Sequence, residues 1–150
     1  MYGILLFLHN WSRWLVVVAA VYALYVAYNG WLMRRAFTAN DRRAGVIYGA
    51  VSGLQLILGL LLYLWPGGLV MGTLSNSGMG AAMKNAETRY FLTQHSVAML
   101  VAILLINFGS TYAKRAADDT GRFKRVAIID TIATLIIILS IPWWRPLFRV

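Results

Sequence analysis

Four long apolar stretches, separated by short runs that hold most of the charge, set the pattern of this chain. The first covers roughly residues 4–33 and stops at Arg34-Arg35, its uninterrupted part being Trp14–Met33. The second runs over 44–65 and ends at Pro66-Gly67-Gly68, a helix stop followed by a flexible turn. The third occupies 88–112 and ends at Lys114-Arg115. The fourth begins near Val126, is apolar to Ile141 and is closed by Pro142-Trp143-Trp144-Arg145-Pro146, a span placed at 126–144. Each is long enough to cross a bilayer core, which takes about 20 residues of helix. Backbone groups in lipid must be bonded within their own segment, so helix is the expected state. The pattern predicts one all-α domain over 1–150, a four-helix transmembrane bundle with up-down-up-down connections. Short connectors then place spans one and three diagonally across the core.

Between Pro66 and Glu87 lies one long connection, rich in Gly, Ser, Asn and Met. It is too broken to span and is expected to form a surface loop or interfacial turn, with Gly78–Met83 weakly helical in composition.

Composition supports a membrane solvent: 60% of residues are hydrophobic and 13% charged, with a mean hydropathy of +0.66, whereas soluble domains are about half apolar. The net charge of +9 does not change that picture. Eleven of the fourteen basic residues lie in or beside three short segments bordering apolar runs, a distribution that sets topology and attracts anionic lipid. Nucleic acid is not an expected partner, because no soluble domain presents the basic patches. Basic residues are retained on the cytoplasmic side, so the basic connectors 35–43 and 114–125 are expected inside and both chain ends outside. Trp11, Trp14, Trp65, Trp143 and Trp144 then fall at the outer interface, and Trp31 at the inner one. The expected location is a bacterial inner membrane. The first stretch has no basic leader and outruns a signal peptide, which makes it a retained helix. The absence of cysteine excludes disulfides, iron–sulfur clusters, thiol catalysis and covalent haem attachment.

The candidate chemistry lies near the outer ends of spans one and three, where the chain has its two histidines, His9 and His95. Haem b is held by axial ligands, commonly imidazole, and a bundle core is a usual place for it. Two diagonal helices could supply both ligands of one haem iron. Register supports this only in part: His9 lies 25 residues before Arg34 and His95 lies 19 before Lys114, a mismatch of about 9 Å along an ideal helix that coplanar ligation would have to absorb by tilt or unequal helix ends. The competing reading makes both histidines interfacial residues bonded to water, backbone or headgroups, and a metal or proton role is a third. Arg13, one turn after His9, could pair with a haem propionate or a quinone oxygen; a snorkelling interfacial arginine is the slightly favoured reading.

Other polar features are read structurally. Gly45, Gly49 and Gly53 make a small-residue stripe that favours close helix packing, and Gln55 is expected to bond across helices. Asp130 is expected to be salt-bridged to Arg125 or Arg43, with a proton relay as the alternative. Met71, Met79 and Met83 invite Cu(I), although contact with the bilayer explains them equally well. No carboxylate pair, catalytic triad or P-loop is present, which favours an electron carrier or accessory subunit over a stand-alone enzyme. The two halves share a faint likeness around Arg34-Arg35-Ala36 and Lys114-Arg115-Ala116, much of which topology alone would produce.

Four stretches carry a family resemblance: Leu8-His9-Asn10-Trp11-Ser12-Arg13-Trp14, Leu54 to Tyr63, Arg89-Tyr90-Phe91-Leu92-Thr93-Gln94-His95, and Ile141-Pro142-Trp143. Across nearly the whole chain it resembles a family of small bacterial four-span proteins often labelled cytochrome b-like. More loosely it is similar to cytochromes of the b561 and copper-resistance D kinds. The resemblance implies a His-x-x-x-Arg-Trp start to span one, matched by His9, Arg13 and Trp14, and a Gln-His near the start of span three, matched by Gln94 and His95. The diheme members of those looser relatives use four histidines, so this chain could hold at most one bis-histidine haem b.

Two functions are therefore expected to compete. One is a b-type cytochrome-like carrier with a haem near the outer face, exchanging electrons with a membrane carrier such as a quinone. The other is a cofactor-free accessory subunit of a larger respiratory or photosynthetic membrane complex. A transporter or metal-handling role has only Asp130, Gln55 and the methionines behind it.

Overall fold

The computed structural model describes residues 1–145, and among them the chain is helical with no strand. There are five helices: α1 (Tyr2–Leu32), α2 (Ala39–Tyr63), α3 (Leu69–Lys84), α4 (Ala86–Ala113) and α5 (Asp119–Leu139). By length and composition α1, α2 and α4 can cross a membrane. α5 carries Asp119, Arg122, Lys124, Arg125 and Asp130 within its first twelve residues, which keeps it less apolar than the other three. Pro146, which closes the fourth apolar stretch in the sequence, lies outside the described residues.

α1 packs on α2 and α5, and α4 packs on α5 and more lightly on α2. This arrangement leaves α1 and α4 at opposite corners. The core between them is thin, built from Val16, Ala19, Ala20, Ala23, Ala102 and Ala133 around the fully buried Tyr48. Small side chains let helix backbones approach closely where lipid provides no hydrophobic drive for association.

The small-residue stripe does not do this. A Cβ added at Gly45 or Gly53 would meet nothing within 4 Å, and one at Gly49 would make only ordinary contacts at 3.7 and 3.8 Å. Close approach occurs instead at Gly30, where a Cβ would lie 2.2 Å from the Phe123 ring, and at Gly109, where it would lie 2.6 Å from Ile129. Both clashes come from α5, which sits against α1 and α4, whereas Gly45 and Gly53 on α2 face open space.

At the arginine end of the bundle, hydrogen bonds staple the connectors. Arg35 forms a fork to Asp41 at 2.7 and 2.6 Å, and Asp41 also accepts from the Thr38 backbone N–H at 2.8 Å. One carboxylate thus caps α2 and neutralises a cation, and it holds the Arg35 guanidinium above its ordinary pKa. Asp119 accepts from Phe37 N at 3.0 Å, which ties the second basic connector to the first. α1 ends in a Schellman turn, with Arg35 N bonded to Gly30 O and Arg34 N to Trp31 O. Arg34 takes the left-handed position at φ 49°.

The connection expected as a loop is largely helical. α3 covers Leu69–Lys84 and is broken at Gly78, whose φ of 76° and ψ of 173° interrupt the spiral. The Gly, Ser and Asn content marked this stretch as too broken to span; packing against the start of α4 supports a helix there that propensity alone would not. α2 and α5 also begin earlier than their apolar runs, because their first turns are charged and capped by Thr38 and Asp118.

Candidate functional site

His9 and His95 meet at the end of the bundle opposite the basic connectors, with ring centroids 6.4 Å apart and planes at 70°. The offset counted along the chain is not an offset in space. Residue number measures path along each axis, and helices at opposite corners share no common register.

His95 closes a π-helical segment, Tyr90–His95, inside α4. Ser96 Oγ bonds to Phe91 O five residues back, in keeping with the wider turn. His95 Nδ1 donates to Ser140 O at 2.8 Å, and Tyr90 Oη donates to the same oxygen at 2.7 Å. That carbonyl is available because α5 has ended at Leu139. With Nδ1 carrying the proton, Nε2 holds the lone pair.

His9 is held from α2. Gln55 Nε2 donates to the His9 carbonyl at 2.9 Å and lies 3.3 Å from His9 Nε2, while Ser12 Oγ contacts Gln55 Oε1. Gln55 therefore bonds across helices as expected. His9 Nδ1 is buried without a hydrogen-bond partner. Gly59, one turn beyond Gln55, makes room for the ring: a Cβ there would be 3.2 Å from His9 Cε1.

Both rings line a cavity of about 380 Å³. Its wall is mostly apolar, including Leu56 and Leu60 of α2 and Met99 and Leu100 of α4, with Arg13, Ser52 and Gln55 among its polar points. Leu60 and Leu100 on this wall are themselves about half exposed. Arg13 lies on its wall and its guanidinium sits 5.6 Å from the Trp14 ring. Arg145, also on the wall, bonds Glu87 through Nε at 2.7 Å and rests 4.5 Å over the Phe91 ring.

Several sequence expectations fare differently. Asp130 forms no salt bridge: among the described residues the ion pairs are Arg35–Asp41 and Arg145–Glu87. Arg125 instead reaches Tyr112 O at 3.2 Å, and Arg43 reaches Asn40. Asp130 points into the protein and is 4% exposed, while those arginines stay with polar partners outside. Met79 and Met83 are exposed, and neither these nor Met71 line the histidine cavity. Among the described residues no three His, Cys, Asp or Glu side chains cluster as a metal site.

Sequence reasoning missed Gly59, Tyr90, Ser140 and Arg145. Gly59 was findable, since Ser52, Gln55 and Gly59 share one helical face. Tyr90 was not, because its alignment with His95 depends on the π turn.

Comparison with known protein families, curated proteins and solved structures finds no match to this chain.

Proposed function

We propose that this chain is a membrane b-type cytochrome-like electron-transfer protein that holds one haem b between His9 and His95. The observation that carries the reading is the 6.4 Å separation of the two imidazoles. Two imidazoles this close could both be ligands of one iron. The donor set fits as well. Metal-bound histidines commonly donate their second ring nitrogen to a backbone carbonyl, as His95 does to Ser140. His9 contributes a buried, unpartnered Nδ1. The apolar walls suit a macrocycle, and Arg13 suits a carboxylate such as a propionate.

When bound, the haem would supply one-electron chemistry. The chain's own part is to fix the His95 tautomer through Ser140, to hold His9 through Gln55, and to exclude water with Leu and Met side chains. The half-exposed Leu60 and Leu100 on the cavity wall offer an isoprenoid quinone an apolar approach from the bilayer, which makes a quinone the membrane carrier in this reading. α1, α2, α4 and α5 are taken as four spans of an up-down-up-down bundle in a bacterial inner membrane. Both chain ends and the histidines lie outside, and the basic connectors inside, by the charge rule.

The test is an optical spectrum of protein purified after expression with haem supplied. A Soret band, an α-band on reduction and a pyridine haemochrome are expected. Their absence removes this reading in favour of the accessory subunit of a larger membrane complex, which gentle-detergent sizing with stoichiometric partners would support.

A further inference from the structure

The cavity does not account for the polar groups buried in the other half of the bundle. Asp130 is 4% exposed and Asp41 8% exposed, and both border a gap of about 10 Å³ near the arginine end. That volume is close to the space one water needs. Asp41 is neutralised by Arg35, and Asp130 has no ion pair among the described residues. The other side chains lining that gap are apolar, among them Ala23, Val26 and Ala27 from α1, Phe37 from the connector and Ala44 from α2, and Tyr48 of α2 lies within electrostatic reach of Asp130.

One turn along α5 from Asp130, Thr134 Oγ1 lies 2.9 Å from the hydroxyl of Tyr48, which is completely buried. Thr134 also donates to the Asp130 carbonyl at 2.6 Å. One turn along α2 from Tyr48 comes Ser52, 1% exposed, with its Oγ lacking a hydrogen-bond partner. Ser52 lines the histidine cavity. Polar groups at such depth are costly in lipid and mark proton or ion pathways when they form a file.

We infer that Asp130, Thr134, Tyr48 and Ser52 form a proton-access path from the arginine end of the bundle to the histidine cavity. A proton enters by the water-sized gap beside Asp41 and binds the Asp130 carboxylate. It then moves along the hydroxyls, each taking a proton on oxygen and giving up its own, with water carrying it across intervals longer than a hydrogen bond. The acceptor is water in the cavity, which hands the proton on at the histidine end of the bundle. One proton is transferred and no electron moves, so the path does not depend on an iron.

The experiment uses the whole chain in vesicles of phosphatidylcholine and phosphatidylglycerol enclosing a pH-sensitive dye. Proton entry is driven by a valinomycin-clamped potassium potential. Wild type is expected to admit protons faster than protein-free vesicles. Asp130→Asn, Tyr48→Phe and Ser52→Ala should each slow entry about tenfold, a barrier change of about 1.4 kcal/mol, while Asp130→Glu should retain it. Helical content and elution volume establish that each variant is folded. Wild-type entry no faster than that of protein-free vesicles overturns the inference, as does unchanged entry in Asp130→Asn. Loss in Asp130→Asn with unchanged entry in both hydroxyl variants overturns the route beyond Asp130. These outcomes are independent of the haem spectrum.

Discussion

His95 donates its Nδ1 proton to the carbonyl oxygen of Ser140 at 2.8 Å, across the gap between α4 and the end of α5. This bond fixes which nitrogen is free on the ring that stands 6.4 Å from that of His9. Tyr90 shares the same oxygen, so the carbonyl stays bonded if His95 is removed. His95→Ala is therefore expected to remain folded and to lose the spectrum of a bis-imidazole haem, and His9→Ala likewise. Tyr90→Phe should keep the spectrum and cost about 0.5–1.5 kcal/mol of stability, the net worth of one hydrogen bond. Absorption spectra with thermal melts in detergent separate the two effects. A normal haem spectrum in either histidine variant would contradict axial ligation.

Gly59 is the place where the cavity depends on a missing side chain. A Cβ there comes 3.2 Å from His9 Cε1, tight enough to make the ring yield by a few tenths of an ångström. Gly59→Ala is expected to weaken cofactor binding while leaving the helix intact, since alanine favours helix over glycine by about 1 kcal/mol. Gly59→Leu should abolish binding. The measurement is haem titration into apoprotein alongside circular dichroism. Unchanged haem affinity in Gly59→Leu would place the cofactor elsewhere.

These two residues show what the sequence made legible. The long apolar runs identified the helices because lipid leaves the backbone no alternative, and the paired positions of His9 and His95 made them the candidates. Residue counting misjudged their proximity because it follows each helix separately. α3 was hidden because its propensity is weak and its support is tertiary. The Asp130 salt bridge failed because nearby arginines can bond outside, and charge counts do not record which way a side chain points. Gly30 went unremarked for a similar reason, since only its neighbour Phe123 on α5 makes it necessary.

Glycine substitutions separate packing from mere smallness. At Gly30 an added Cβ would overlap the Phe123 ring, which is itself 1% exposed and cannot withdraw freely. Gly30→Ala is expected to destabilise the chain by about 1–3 kcal/mol, the usual cost of overpacking a filled site. Gly45→Ala and Gly53→Ala meet open space and should be neutral or stabilising by up to about 1 kcal/mol. Thermal melts of the three variants give the comparison. A loss at Gly45 or Gly53 matching that at Gly30 would show that another protein or a second copy packs on the α2 stripe.

The Arg35–Asp41 fork joins charge neutralisation to helix capping, so its two ends should not be equivalent. Asp41→Ala removes the acceptor for Arg35 and for both the N–H and the hydroxyl of Thr38. Loss of a capping group costs about 0.5–2 kcal/mol, and losing the partly buried ion pair adds to it. Arg35→Lys keeps the charge and gives up the two-pronged geometry, for a smaller loss. Arg35→Ala leaves Asp41 with Thr38 and should fall between the two. Chemical or thermal unfolding should therefore rank the variants Asp41→Ala, Arg35→Ala, Arg35→Lys in decreasing damage. Equal damage from Asp41→Ala and Arg35→Ala would mean that the cap contributes nothing beyond the ion pair.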